Sequence, residues 1–172
     1  MTAAAPQPSQ QPLDAIRSAL RAHTTLTLAY VDEQGPQACA VLYALADGPD
    51  PVLLFVTAET TRHGRALLSG DARVAFTAQA DGQDWTVLTG IQGRGTCRLL
   101  TGSARQAAWP AYSSRFPYVE RTERLKEAMA RTGLWELRPN WLRLVDNGRG
   151  FGHKTEWTPP ASGPLAGRSW EK

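Results

Sequence analysis

The stretch Val52–Arg65, VLLFVTAETTRHGR, gathers residue types that can hold an anion. It opens as an apolar, β-branched-rich run that reads as a buried strand. It closes in TTRHGR, where Thr60 or Thr61 can cap a helix running to about Ser69, with Gly70 placed for its C-terminus. A strand feeding a helix start leaves free backbone N–H groups and a positive dipole end in one place. Arg62 can fork onto two phosphate oxygens, and Thr61 and His63 can donate beside it. An ordinary capped helix with solvated charges is the competing reading of the same residues.

A second basic cluster is Arg149-Gly150-Phe151-Gly152-His153-Lys154, followed by Trp157, while Trp85 follows the turn at Asp81-Gly82. Cations beside flat aromatics suit a ligand with a phosphate and a ring system, such as a flavin mononucleotide (FMN). Tryptophans also serve as core or interface residues, and composition alone favours that use. The chain carries no G-x-S-x-G, H-E-x-x-H, Walker loop or dinucleotide G-x-G-x-x-G after a strand. Its three histidines, His23, His63 and His153, lack the close spacing of metal motifs, so no metal is expected. Cys39 and Cys97 lie in separate apolar runs and read as small buried residues.

The elements that position these residues follow from periodicity. Leu13, Ile16, Ala19 and Leu20 recur at helical spacing. Leu26–Asp32, Ala38–Leu45, the opening strand and Arg73–Ala80 are strands joined by short turns, and Trp85–Leu100 is extended with bends at its glycines. Ser103–Phe116 and Tyr118–Arg131 read as helices, with Pro110 and Pro117 breaking or starting turns. Leu134–Pro139 and Asn140–Asn147 read as two further strands. Short hairpin turns argue for a mostly antiparallel barrel with peripheral helices, an α+β fold.

With 172 residues the chain fits one domain. We place it at 12–157, between a disordered N-terminal tail, 1–11, and a flexible C-terminal tail, 158–172. A net charge of +3 spread as single arginines gives no footprint for nucleic acid. No stretch is long and apolar enough to span a bilayer as a helix, and the N-terminus lacks a signal-peptide pattern, so a cytoplasmic location is expected.

Three segments in order, TLAYVDEQGPQACAVLYAL, LLFVTAETTRHGRALLSGDARVAFT and DWTVLTGIQGRGTCRLL, resemble the FMN-binding split-barrel superfamily, whose best-known member is pyridoxamine 5′-phosphate oxidase. The later motifs RFPYV, WLRLVDN and RGFGHK are most similar to its YhbP-like branch. The resemblance implies a six-stranded antiparallel split β-barrel that pairs as a homodimer, with FMN at the seam. It implies a flavin-dependent oxidoreductase on an unknown small molecule. A non-enzymatic flavin- or haem-binding protein, or a cofactor-free interaction module, is the alternative. By position, Ala40, Val41, Leu42 and Tyr43 would run along the ring and ribityl chain. Val56 and Thr57 would lie beside the phosphate, and Thr61, Arg62 and His63 would hold it. Trp85 would lie near the ring, and Arg149, His153 and Lys154 would close the site, from the partner chain if the seam is shared. Two departures stand out: His63 occupies a position that tends to be lysine in such oxidases, and ACAVLY has no basic residue at either end.

Overall fold

The computed structural model describes residues 10–69 and 72–160. In chain order the elements are α1 (Gln10–Ala22), β1 (Thr25–Asp32), β2 (Gly35–Leu45), β3 (Leu53–Thr57), α2 (Arg62–Ser69), β4 (Arg73–Gln79) and β5 (Thr89–Leu100). Then come α3 (Gly102–Arg115), α4 (Glu123–Ala130), β6 (Gly133–Asp146) and β7 (Lys154–Trp157). Single 3-10 turns sit at Pro117–Glu120 and Asn147–Arg149. Most of both expected tails, and the Gly70 expected beyond α2, lie outside the described residues, while Gln10 and Gln11 open α1.

Strand order is β3-β2-β1-β4-β5-β6-β7, every neighbour is antiparallel, and a further β3–β6 pairing closes the first six strands into a barrel. Alternation drives it. Along β4, Val74, Phe76 and Ala78 are buried while Arg73, Ala75, Thr77 and Gln79 face out. Leu26, Leu28 and Tyr30 of β1, Phe55 of β3 and Trp135 of β6 fill the interior, and Ile16, Leu20 and Leu67 add the apolar faces of α1 and α2. A second cluster lies outside the barrel, where Tyr112 and Phe116 cover Ala44, Leu54, Leu100 and Leu134.

Four expectations need correction: the stretch read as extended from Trp85 is a turn until β5 begins at Thr89, the stretch read as a helix over Tyr118–Arg131 is a 3-10 turn followed by α4 from Glu123, and two concern prolines. Pro110 does not break its helix: α3 runs through it to Arg115, held by the burial of Tyr112 just beyond. The two strands read on either side of Pro139 are one strand, β6. Proline cannot donate to a ladder, and the β5–β6 register shifts between Arg94 and Gly95, opposite Pro139. Gly95 makes that bulge possible, because a Cβ there would stand 2.3 Å from the Arg138 carbonyl oxygen.

Candidate functional site

Strand β2 pairs with β1 over Gly35–Leu42 but with β3 only over Tyr43–Leu45. Continued in register, Val41 would meet Thr57, but the strands part before that. Ala40–Leu42 and Val56–Thr57 therefore stand on the two sides of a split. The Tyr43 N–H donates to the Thr24 carbonyl, on the β1 side. Backbone groups alternate along a strand, so those of Ala40 and Leu42 face the open edge. The side chains of Val41 and Tyr43 point into the core, where the Tyr43 hydroxyl donates to the Leu20 carbonyl at 2.7 Å. What β2 offers a ligand is therefore backbone, together with the outward Ala40 and Leu42.

At the end of β3 the polar groups converge. The Thr57 hydroxyl lies 2.6 Å from His63 Nε2 and 3.3 Å from Thr61 Oγ1. Thr61 donates to the Ala58 carbonyl at 2.8 Å and accepts the Gly64 N–H at 3.0 Å, which makes it the helix cap. Its single proton is committed to Ala58, so the Thr57 hydroxyl and the imidazole settle between them which one donates. The turn is tight: a Cβ on Gly64 would stand 2.4 Å from the Ala58 carbonyl oxygen. Among the described residues, none accepts from the backbone N–H of Arg62 or His63. Burial pushes the His63 pKa below the usual histidine value, so the ring is neutral at pH 7. On the core side, the Trp135 indole donates to the Thr57 carbonyl at 3.1 Å and fixes the strand end.

Arg62 is not waiting with a bare guanidinium. Its Nε donates to Asp32 Oδ2 at 2.6 Å and its Nη2 to Gln34 Oε1 at 2.7 Å. Asp32 accepts the Gln34 N–H as well, and the Arg62 hydrogen bond holds its carboxyl below the usual carboxylate range. Sequence reasoning missed Asp32 and Gln34, which read only as a strand end and a turn. Beyond α2 an open groove is lined by Arg62, Arg65, Arg73 and Arg94, with Val74 and Ala75 in its wall.

The second cluster stands elsewhere. Trp85 meets Phe151 edge-on at 6.1 Å between centroids, and Asn147 donates to the Trp85 carbonyl at 2.6 Å. Arg149 and Lys154 are exposed and His153 is half-buried. This group flanks the Thr89–Asp146 end of the β5–β6 ladder, whereas Thr57 pairs with Gly133, beyond its Leu100–Leu134 end. Twelve strand residues separate the two ends, about 35 Å along the strand. One protomer brings together Ala40, Leu42, Val56, Thr57, Thr61, Arg62 and His63. It does not bring Trp85, Arg149, His153 or Lys154 to them.

Comparison with known proteins adds three findings. The chain is 33% identical over 128 residues to UPF0306 protein YhbP of Escherichia coli O157:H7, covering 74% of this chain and 80% of that one. It superposes with a TM-score of 0.65 on a haem-binding protein from Mycobacterium smegmatis, at 22% identity over 90% of this chain and 59% of that one. A FAD-binding protein from Mesorhizobium loti superposes with a TM-score of 0.60, at 13% identity over 77% of this chain and 90% of that one. No protein-family model matches.

Proposed function

This chain belongs to the UPF0306 family of YhbP, a split-barrel family, and from that premise we propose that it binds FMN in the split between β2 and β3. The observation that carries this reading is the junction of β3 and α2. Two open helix N–H groups, the Thr57 hydroxyl and a neutral imidazole converge at the end of a core strand, with Thr61 closing the turn beside them. Phosphate oxygens are acceptors only, and this is a set of donors. The likeness to flavin- and haem-binding structures supports a flat, cofactor-sized ligand.

In this reading the N–H groups of Arg62 and His63 and the Thr57 hydroxyl hold the phosphate. Thr61 keeps the turn closed, and the backbone edge of Ala40 and Leu42 lies along the polar rim of the ring. The bound flavin supplies hydride or electron transfer to a small molecule. The protein supplies position and polarity, and Trp135 keeps the Thr57 carbonyl engaged so that its hydroxyl keeps its aim. We place the protein in the cytoplasm as a homodimer. The outer face of β2, β1 and β4 carries Ala38, Ala40, Leu42, Ala29, Ala75 and Thr77, none of them more than half-buried. A partner seated there would be the means by which Arg149, His153 and Lys154 reach the split.

The test begins with the visible spectrum of purified protein, where flavin bands support the reading and a haem Soret band overturns it. In FMN fluorescence-quenching titrations, Thr57→Val and His63→Ala should each weaken binding about 10-fold or more, the scale of a hydrogen bond to a charged group. Equal quenching by wild type and both variants would remove the phosphate from this junction.

A further inference from the structure

The fixed positive charge lies beside the junction rather than in it. At the junction His63 is neutral and Arg62 is matched by Asp32. The strand ACAVLY adds no cation. One helical turn further along α2, Arg65 faces the groove, its Nη1 donating to the Thr60 carbonyl at 2.7 Å. Across the groove, Arg94 is stacked on Trp141 at 5.0 Å, and Arg143 stacks on the same ring at 4.9 Å. Trp141 and Arg143 both donate to Glu156, so Arg94 rests on a fixed platform. Among the described residues, neither Arg65 nor Arg94 has a carboxylate partner. Asp32, which Arg62 holds, and Glu33 are the groove's only described acids, beside Arg65 and Arg94.

This distribution suits one shape of charge. A terminal monophosphate brings nearly two charges to a single point, where this chain offers mostly neutral donors. The two phosphates of a dinucleotide share an anhydride oxygen and carry one charge each, set side by side. We propose that the groove is a second anion subsite, taking the adenosine-side phosphate of a dinucleotide, so that flavin adenine dinucleotide (FAD) binds in preference to FMN. The flavin-side phosphate then sits on the neutral donors at Thr57 and His63, and the next reaches Arg65 and Arg94. The apolar side chains of Ala66 and Leu68 lie along the path the nucleoside takes. The inference rests on the flavin reading above and extends it past Arg62.

Calorimetric titration of the full chain with FMN, FAD and ADP at low salt tests it. FAD should bind at least about 10-fold tighter than FMN, the scale of one hydrogen bond to a charged group. Arg94→Gln should weaken FAD and ADP by a similar factor and leave FMN within about 2-fold, and Arg94→Lys should keep most of the FAD affinity. FMN binding as tightly as FAD, with Arg94→Gln indifferent for both, overturns the subsite and leaves the flavin reading standing. Arg94-dependent binding of ADP with no binding of either flavin upholds the groove as a nucleotide-phosphate site and sinks the flavin reading.

Discussion

One outer face of the barrel is covered and another is bare. Helix α3 lays Tyr112 and Phe116 over Ala44, Leu54, Leu100 and Leu134, all of them buried. On the face formed by β2, β1 and β4, most outward residues are alanines and threonines, joined by Val31, Pro36 and Leu42 and, at the two ends of β4, by Arg73 and Gln79; Val31 is 69% and Leu42 38% exposed. Large side chains fill the space under a helix, while small ones let a second backbone come close to a flat sheet. The covered face is a finished part of the core. The bare face carries mostly small side chains, and it borders the split that holds the candidate site.

The largest effect expected from this contrast is on stability. Leu134→Ala should cost about 2–5 kcal/mol by leaving a cavity under α3, whereas Leu42→Ala should stay within about 0.5 kcal/mol of wild type in the folded protomer. Urea midpoints measure both, and equal losses would erase the distinction between the faces. Next comes assembly. Ala40→Asp and Thr77→Asp would each bury an unpaired charge if two copies meet there, and light scattering should show a monomer of unchanged secondary structure. A wild type that is already monomeric at micromolar concentration would end the idea of a shared seam.

A smaller effect should come with pH. His23 lies behind α3, where Arg115 donates to its carbonyl at 3.3 Å, and His63 lies at the open junction. Burial lowers both pKa values. The unfolded chain therefore binds more protons than the native one below the ordinary histidine pKa. The stability tied to these rings is complete above that value and is lost as pH falls through the lowered native values. Thermal melts from pH 7.5 to pH 5 should show the decline, His23→Asn should flatten part of it, and an anionic ligand should change only the His63 share. The smallest effect concerns the ends. Removing residues 2–9 and 161–172 should move Tm by less than about 2 °C, since Pro, Gly, Ser and Gln segments bury little. A larger drop would mean that an end packs on one of the two faces.

Alternation and turn chemistry made most of the strands legible, because each depends on neighbours two to four residues away. The cap at Thr61 was legible for the same reason. Pro110 and Pro139 misled because local rules count the lost hydrogen bond and not what replaces it: packing under α3 in one case, a bulge at the neighbouring Asn140 of the same strand in the other. At the site, Thr57, Thr61 and His63 are six residues apart at most and were read together. The Asp32–Arg62 pair spans thirty residues, and no periodicity links a hairpin end to a helix start. Arg65 and Arg94 read as scattered surface arginines until the curl of β5 set one across from the other.

The β3–β6 pairing has a consequence for how the molecule is made. It joins Leu53–Thr57 to Gly133–Leu137, segments some eighty positions apart, and the Trp135-to-Thr57 hydrogen bond crosses the same seam. The hairpins β1–β2 and β4–β5 are local and can form early. Closure has to bring distant chain segments together, which is the slow kind of step in folding. Because Thr57 ends the closing strand, the candidate junction is assembled by that late event, and brief opening of the seam dismantles it. A ligand held at Thr57 should therefore act as a latch, slowing amide exchange along β3 and the first residues of β6 more than in the β1–β2 hairpin.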